Sequence, residues 1–137
     1  MMTPKTKKIE DLFDITPNLK YVVALERAYF SFAERLAPKD YNGGQWESKK
    51  LGKGWYFLLD DDSKFSVYPC QTQINNKVFS FLVNHSVFLQ LQYELEQNGL
   101  EQDPLSHELY CLWVNLNTYF KDELTKKEQQ QFYEIMS

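Results

Sequence analysis

Two histidines and two cysteines are the side chains of this chain best suited to metal binding or nucleophilic chemistry: His85, His107, Cys70 and Cys111. Zinc sites that can be recognised in a sequence contain closely spaced ligand pairs, and these four residues form none. His107 and Cys111 share one face of a predicted helix, but a cysteine nucleophile also needs an orienting acid and an exposed turn. We therefore predict structural or surface histidines, buried or half-buried free thiols, and no catalytic, metal or cofactor site.

Three consecutive aspartates, Asp60, Asp61 and Asp62, form the densest run of acidic side chains. A calcium-binding EF-hand loop would continue with alternating oxygen ligands, a glycine and a final glutamate, whereas here the sequence continues Ser63-Lys64-Phe65. We predict a solvated hairpin turn. Because exposed loops often carry binding residues, the three aspartates are also our candidate contact for a protein partner.

Tryptophans and lysines between residues 46 and 55 raise the alternative of single-stranded nucleic-acid binding. Trp46 and Trp55 could stack bases, with the neighbouring lysines on the phosphates; these lysines are Lys49, Lys50 and Lys53. Single-strand binders combine such aromatics with a basic groove, and three lysines close to three aspartates make a weak one. Core packing of the tryptophans is therefore favoured, and weak single-strand binding stays open as an alternative.

Composition and charge limit the possible classes of protein. A chain of 137 residues with 43% hydrophobic and 25% charged residues is ordinary for one globular domain. The net charge is −4, and from residue 78 to the end nine acidic residues stand against three lysines. Direct binding to duplex DNA is not expected, because it usually needs a basic face. With no long apolar run and a polar, lysine-bearing start, we expect a cytoplasmic protein with no membrane partner.

Periodicity predicts a single α+β domain in which one helix precedes a small antiparallel sheet and two longer helices and a short C-terminal helix follow it. Apolar residues spaced three and four apart predict an amphipathic helix over 19–37, and residues 1–17 precede it as a flexible tail. Strand-length segments at 45–51, 54–59 and 64–68, separated by glycine-bearing and aspartate-bearing turns, predict a three-stranded antiparallel meander, with a fourth strand left open. The single domain is expected to span residues 18–137.

Helix signals dominate the second half of the chain. A broadly apolar segment predicts a long helix over 76–97, which Asn98-Gly99 would end. Asp103-Pro104 predicts the N-cap and first position of a second helix, whose inner face carries leucines at 105, 109, 112 and 116. Thr125 and Glu128 fit a capping box that opens a short C-terminal helix, with Phe132, Ile135 and Met136 facing inward.

The segment 41–47, between the first helix and the sheet, is the most distinctive in the chain. Its defining residues are Tyr41, Gly43, Gly44, Trp46 and Glu47. Two glycines after an asparagine indicate a tight reversal with positive φ, and the tryptophan two residues later can anchor the first strand in the core. We predict a structural joint between helix and sheet.

This heptad resembles the Y-x-G-G-x-W-E signature of the antirestriction family typified by the plasmid proteins ArdB and KlcA. In that family a glycine-aromatic strand follows, matched here by residues 54–58, and then an acidic turn, a third strand, a long apolar helix and two further helices. The resemblance covers roughly residues 19–137. Two departures are a turn at 51–54 that is one residue shorter, and bulky side chains at the start of the long helix in place of small ones.

The resemblance implies a non-enzymatic protein, carried by mobile elements, that alleviates host type I restriction-modification by contact with the restriction enzyme complex. Its charge argues against DNA mimicry, since ten base pairs of duplex carry about twenty phosphate charges. Alternatives are a diverged interaction domain of the same fold with another target, and an interaction domain with no role in defence. The target subunit, the contact residues and the oligomeric state are left open by the sequence.

Overall fold

The computed structural model describes residues 19–52, 54–67, 72–100 and 102–136, with side chains of the first helix described from Arg27 onward. The described part contains five helices and four strands: α1 (Leu19–Leu36), β1 (Trp46–Leu51), β2 (Gly54–Leu59), β3 (Phe65–Val67), β4 (Thr72–Ile74), α2 (Asn76–Gln97), α3 (Pro104–Thr118), α4 (Phe120–Glu123) and α5 (Lys126–Met136). The α+β class and the order of the elements are confirmed. The tail at 1–17, Lys53 and Cys70 lie outside the described residues.

The pairing of the strands differs from the predicted meander. In the described residues β1 pairs with β2 and β3 pairs with β4, giving two antiparallel hairpins in place of one three-stranded sheet. Trp46 stands opposite Leu59 in the first hairpin, and Phe65 stands opposite Ile74 in the second. The prediction that β3 joins β2 was therefore wrong, and residues 60–62 connect two hairpins and are not a hairpin turn.

A helix takes the place of the missing third strand. Three polar side chains of α2, spaced four residues apart, reach the outer edge of β2; we call Asn76, Ser80 and Asn84 the polar row. The Asn84 side chain accepts a hydrogen bond from the Phe57 N–H at 3.0 Å and donates one to the Phe57 carbonyl at 2.7 Å. Since an open strand edge leaves polar backbone groups without partners, this row supplies what a neighbouring strand would have supplied.

The other two members of the polar row, Ser80 and Asn76, form hydrogen bonds with the backbone of Leu59, two residues after Phe57 in β2. The Leu59 N–H donates to the Ser80 hydroxyl at 2.9 Å, and the Asn76 amide donates to the Leu59 carbonyl at 2.9 Å. The Tyr29 hydroxyl, buried in α1, donates to the Asn84 side-chain oxygen at 2.5 Å. Asn84 therefore links α1, α2 and β2 through one fully buried amide.

The long helix α2 is the centre of the core and packs against β2, α1, α3 and α5. Its bounds match the prediction, and the Asn75 side chain caps it by accepting from the Val78 N–H. The four predicted leucines of α3 are buried, and Asp103 caps that helix through the Leu105 N–H. Contact on several sides explains why α2 carries apolar residues around most of its circumference.

The C-terminal helix docks onto the beginning of α2. The predicted capping box is confirmed, because the Thr125 N–H donates to the Glu128 carboxylate and the Glu128 N–H donates to the Thr125 hydroxyl. The same carboxylate accepts from the Asn75 amide at 2.7 Å, which joins the two helix starts. Phe132 is buried, whereas Met136 is exposed, so the predicted inward position of Met136 was wrong. Since it is the last residue of the helix, α5 ends before its side chain can be covered.

Candidate functional site

The heptad 41–47 forms a compact joint between α1 and β1. Its two aromatic side chains are buried, with 8% of Tyr41 and 4% of Trp46 exposed. The Trp46 indole N–H donates to the Tyr41 hydroxyl at 3.2 Å, and the Trp46 ring packs against Tyr29 and Phe79. Burial raises the pKa of the Tyr41 hydroxyl, so it stays protonated near neutral pH.

The glycines of the heptad have the backbone conformation that its turn requires. Gly43 has a φ of 88° and Gly44 a φ of 111°, values that side chains of L-residues rarely adopt. A Cβ atom on Gly44 would also lie 3.1 Å from the Leu59 side chain. Glu47 is half-buried and its carboxylate stands 3.8 Å from the Lys49 ammonium. The heptad thus forms a structural joint whose two aromatic residues are buried, whereas Asn42, Gly44 and Gln45 are exposed.

The burial of Trp46 bears on the nucleic-acid alternative. A base can stack only on a ring whose face is open, and Trp46 lies in the core. Trp55 is half-buried and the Lys50 ammonium stands 5.3 Å from the centre of its ring. One tryptophan of the suggested pair is therefore inaccessible, which leaves a single partly exposed ring.

The three aspartates occupy the connection between the two hairpins. Asp60 and Asp62 are exposed, and the Asp61 carboxylate accepts a hydrogen bond from the Ser63 N–H at 2.8 Å. Hydrogen bonds from Ser63 lower the pKa of Asp61. Among the described residues no three histidine, cysteine, aspartate or glutamate side chains come together as a metal site would require. The segment remains accessible to a partner, as a contact loop would be.

His107 and Cys111 lie on the outer face of α3. The Cys111 sulfur stands 3.5 Å from the His107 Nε2, and both residues are exposed. The expectation of a buried or half-buried thiol was therefore wrong for Cys111, because the buried leucines of α3 fall on the opposite side of that helix. The pair has the contact of a base and a nucleophile but sits on a regular helix, not on the strained turn that exposes catalytic nucleophiles.

His85 lies where α2, α3 and α5 meet, a site that the sequence did not reveal. Its ring centre is 5.9 Å from that of Trp113 and 5.9 Å from that of Phe132. The His85 Nδ1 and the Trp113 Nε1 are buried, and they are the two buried side-chain nitrogen or oxygen atoms, within the described residues, that lack a hydrogen-bond partner. Most buried polar atoms in folded proteins have a partner, so this pair calls for an explanation.

The pH dependence of stability provides a test of the His85 environment. Burial lowers the pKa of His85 from its ordinary value of 6.5. As the pH falls through about 6.5, His85 becomes protonated in the unfolded chain while it is still neutral in the folded chain. Protons therefore stabilise the unfolded state, and the free energy of unfolding falls. We expect His85→Phe, which keeps a ring between Trp113 and Phe132, to show a smaller loss of stability between pH 7 and pH 5.

Urea denaturation at several pH values measures this effect. His107→Gln, which removes the exposed histidine of α3, serves as the control for the loss of a histidine side chain. Equal slopes for His85→Phe and the unaltered protein would show that His85 titrates alike in the folded and unfolded chain, against our expectation.

None of the helices in the described part of the chain combines the length and apolarity needed to cross a bilayer. No family model, no curated protein and no solved structure matches the chain.

Proposed function

We propose that this protein alleviates restriction of incoming DNA by the host's type I restriction-modification enzymes, acting inside the cell by protein–protein contact and without catalysis. The proposal starts from the resemblance of the heptad 41–47 to the antirestriction signature. The observation that supports it best is that the heptad's residue types fit together as one structural device. Two glycines make the turn, and the Trp46 indole donates to the Tyr41 hydroxyl across it.

Because the residues of the heptad form one structural motif, a common fold explains the resemblance better than a coincidental sequence match does. A chance heptad would have no reason to bring its first and sixth residues into a buried hydrogen bond. The glycine-aromatic strand expected after the signature is β2, and the long apolar helix expected after the sheet is α2. The order of elements and the role of the heptad therefore agree with one family pattern.

The charge distribution supports protein contact over DNA mimicry. A DNA mimic of ten base pairs would need about twenty negative charges, and the part of the chain from residue 78 onward has nine acidic residues and three lysines. Binding of single-stranded nucleic acid is the weaker candidate, because Trp46 is buried in the core. An interaction domain of this fold with another target remains the second candidate.

Phage plating tests the proposal directly. We expect cells that carry a type I restriction system and express the protein to plate unmodified phage at a level approaching that of modified phage. Expression in cells without the restriction system should leave plating unchanged, which controls for effects on phage growth. Unchanged restriction in cells that contain the folded protein would contradict the proposal.

A further inference from the structure

A continuous run of aromatic rings crosses the surface formed by α2, α3 and α5. Neighbouring ring centres along the run are 5.9 to 6.5 Å apart. We call its members the aromatic band; in order they are Tyr110, Trp113, His85, Phe132 and Tyr133. The middle of the band is half-buried or buried, whereas its two ends are open, with 53% of Tyr110 and 55% of Tyr133 exposed. The band is therefore anchored in the core and presented to solvent at both ends.

Exposed apolar side chains concentrate around this band. The described residues contain eight large hydrophobic side chains that are exposed, and five belong to the band or lie one helical turn from one of its members. Those five are Leu89, Tyr110, Val114, Tyr133 and Met136. Single exposed apolar residues are ordinary on a protein surface, but a cluster of them marks an interaction site.

The two unpartnered nitrogen atoms lie at the middle of the same band. The Trp113 Nε1 can only donate a hydrogen bond, and the His85 Nδ1 accepts one when the proton of the neutral ring is on Nε2. Lowering of the His85 pKa by burial favours that neutral ring. A peptide group offers the matching pair, a carbonyl acceptor and an N–H donor. Both residues are half-buried, whereas the two nitrogens themselves are buried, so pairing with a peptide group requires the two rings to turn outward.

The Tyr133 end of the band combines a hollow with basic side chains. A hollow of about 260 Å³ has one aromatic wall and one polar wall, and it is smaller than the pockets that enclose whole small-molecule ligands. The aromatic wall is formed by Phe120, Phe132 and Tyr133, and the polar wall by Asn117, Thr118 and Lys121. A neighbouring shallow hollow is lined by Tyr133, Lys126 and Glu134. Two lysines and one glutamate give this rim a positive charge on a chain whose net charge is −4. The hollow suits one side chain of a protein partner, and the rim suits an acidic segment.

We propose that the aromatic band is the surface that docks a protein segment carrying a large apolar side chain, a free peptide group and acidic neighbours. The apolar side chain fills the hollow beside Tyr133, and the peptide group pairs with Trp113 and His85. The acidic neighbours face Lys121 and Lys126. This inference rests on the proposed function, since it assigns the segment to the type I restriction enzyme complex. The site then lies on the helices and not at Asp60, Asp61 and Asp62.

The experiment measures binding of the purified protein to a purified type I restriction enzyme. We expect Tyr110→Ser combined with Tyr133→Ser to weaken binding by about tenfold or more, as the loss of exposed aromatic anchors does in other interfaces. Phe30→Ser is the matched control, because Phe30 is an exposed aromatic residue on α1 with 41% of its surface open. Since Tyr110 and Tyr133 are more than half exposed, these changes should leave the urea midpoint nearly unchanged.

Charge reversal gives a second, independent arm. Lys121→Glu combined with Lys126→Glu should weaken binding chiefly by slowing association, and more at low salt than at high salt. Lys39→Glu, an exposed lysine beyond the end of α1, should bind like the unaltered protein. Unaltered salt dependence in the double variant would remove the acidic segment from the proposal.

The outcomes separate this inference from the proposed function. If the unaltered protein relieves restriction and the tyrosine double variant binds and relieves restriction equally well, the band is not the docking surface and the proposed function stands. Loss of both activities in that variant, with an unchanged urea midpoint and an active Phe30→Ser control, supports the band. If the unaltered protein neither binds the enzyme nor relieves restriction, the proposed function and this inference are both wrong.

Discussion

We expect Asn84→Leu to lower the free energy of unfolding by about 3 to 5 kcal/mol, because it leaves three buried polar groups without partners. These groups are the N–H and the carbonyl of Phe57 and the hydroxyl of Tyr29. Leucine has the branching of asparagine but is larger, so the change opens no cavity, and its loss combines the unpaired hydrogen bonds with some cost of overpacking. Since domains of this size are stable by about 5 to 15 kcal/mol, the change threatens the fold itself.

Urea denaturation of the variant measures this loss. Asn117→Leu is the matched control: its side chain also donates a hydrogen bond on a helix, to the Trp113 carbonyl, but it is exposed and water can replace it. The control should change stability by less than about 0.5 kcal/mol. A loss for Asn84→Leu no greater than that of the control would mean that the polar row does not close the edge of β2.

A double-mutant cycle can apportion the effect. Tyr29→Phe removes only the hydroxyl that donates to Asn84, and the two residues are in direct contact. We expect the two changes together to cost less than the sum of each alone, because the second removes a partner that has already been lost. Additive losses would show that the tyrosine and asparagine contribute independently.

Trp46→Ala is the second large effect, with an expected loss of about 3 to 5 kcal/mol from removing a buried aromatic side chain. The change also deprives the Tyr41 hydroxyl of its donor and opens a space beside Tyr29 and Phe79. Trp46→Phe should cost less, since it keeps a packed ring and loses the indole N–H. Both variants test whether the heptad is a structural joint.

Thermal or urea unfolding of these variants, together with plating, checks the interpretation. Trp55→Ala is the control, because Trp55 lies in the partner strand β2 of the same hairpin, is only half-buried, and should cost less than Trp46→Ala. Relief of restriction should fall with Trp46→Ala in proportion to the amount of folded protein. A Trp46→Ala protein as stable as the unaltered one would contradict a core role, and a stable Trp46→Phe protein without activity would indicate direct contact by the indole.

Helix bounds and caps could be predicted from the sequence because their signals are local. Asp103 followed by Pro104, and Thr125 followed by Glu128, are each read within a few residues, and the hydrogen bonds of both caps are present. The pairing of β3 could not be predicted in this way. The residue types of β3 predict a strand, but they do not predict its partner. The edge of β2 that β3 was expected to join is covered by the polar row of α2, about twenty residues further along the chain.

The sequence of α2 carries a signal for this covering. Asn76, Ser80 and Asn84 stand among the apolar residues of the first half of α2 at a spacing of four, which places them on one face. Polar residues on a face that points to the core imply polar backbone groups opposite them. Cys111 is the opposite case: its residue type favours burial, but its position on the outer face of α3 leaves it exposed.

The aromatic band could not be predicted from the sequence, because its residues are far apart in the chain and form no local motif. Trp113 and His85 are brought together only by the packing of α2 against α3. The high aromatic content of 16% indicates that many rings must pack somewhere, but not which of them remain open. The two unpartnered nitrogen atoms become visible only once side chains are placed in three dimensions.

Closure of β2 by a helix fixes an order of events during synthesis on the ribosome. Asn84 follows Phe57 by 27 residues, so the strand leaves the ribosome before the side chain that covers its edge. At about 5 to 20 residues per second, the edge stays open for roughly one to five seconds. During that interval the nascent hairpin can pair with another chain. Slow translation of residues 58–84 lengthens this interval, and it therefore raises the risk that the protein aggregates before it has folded.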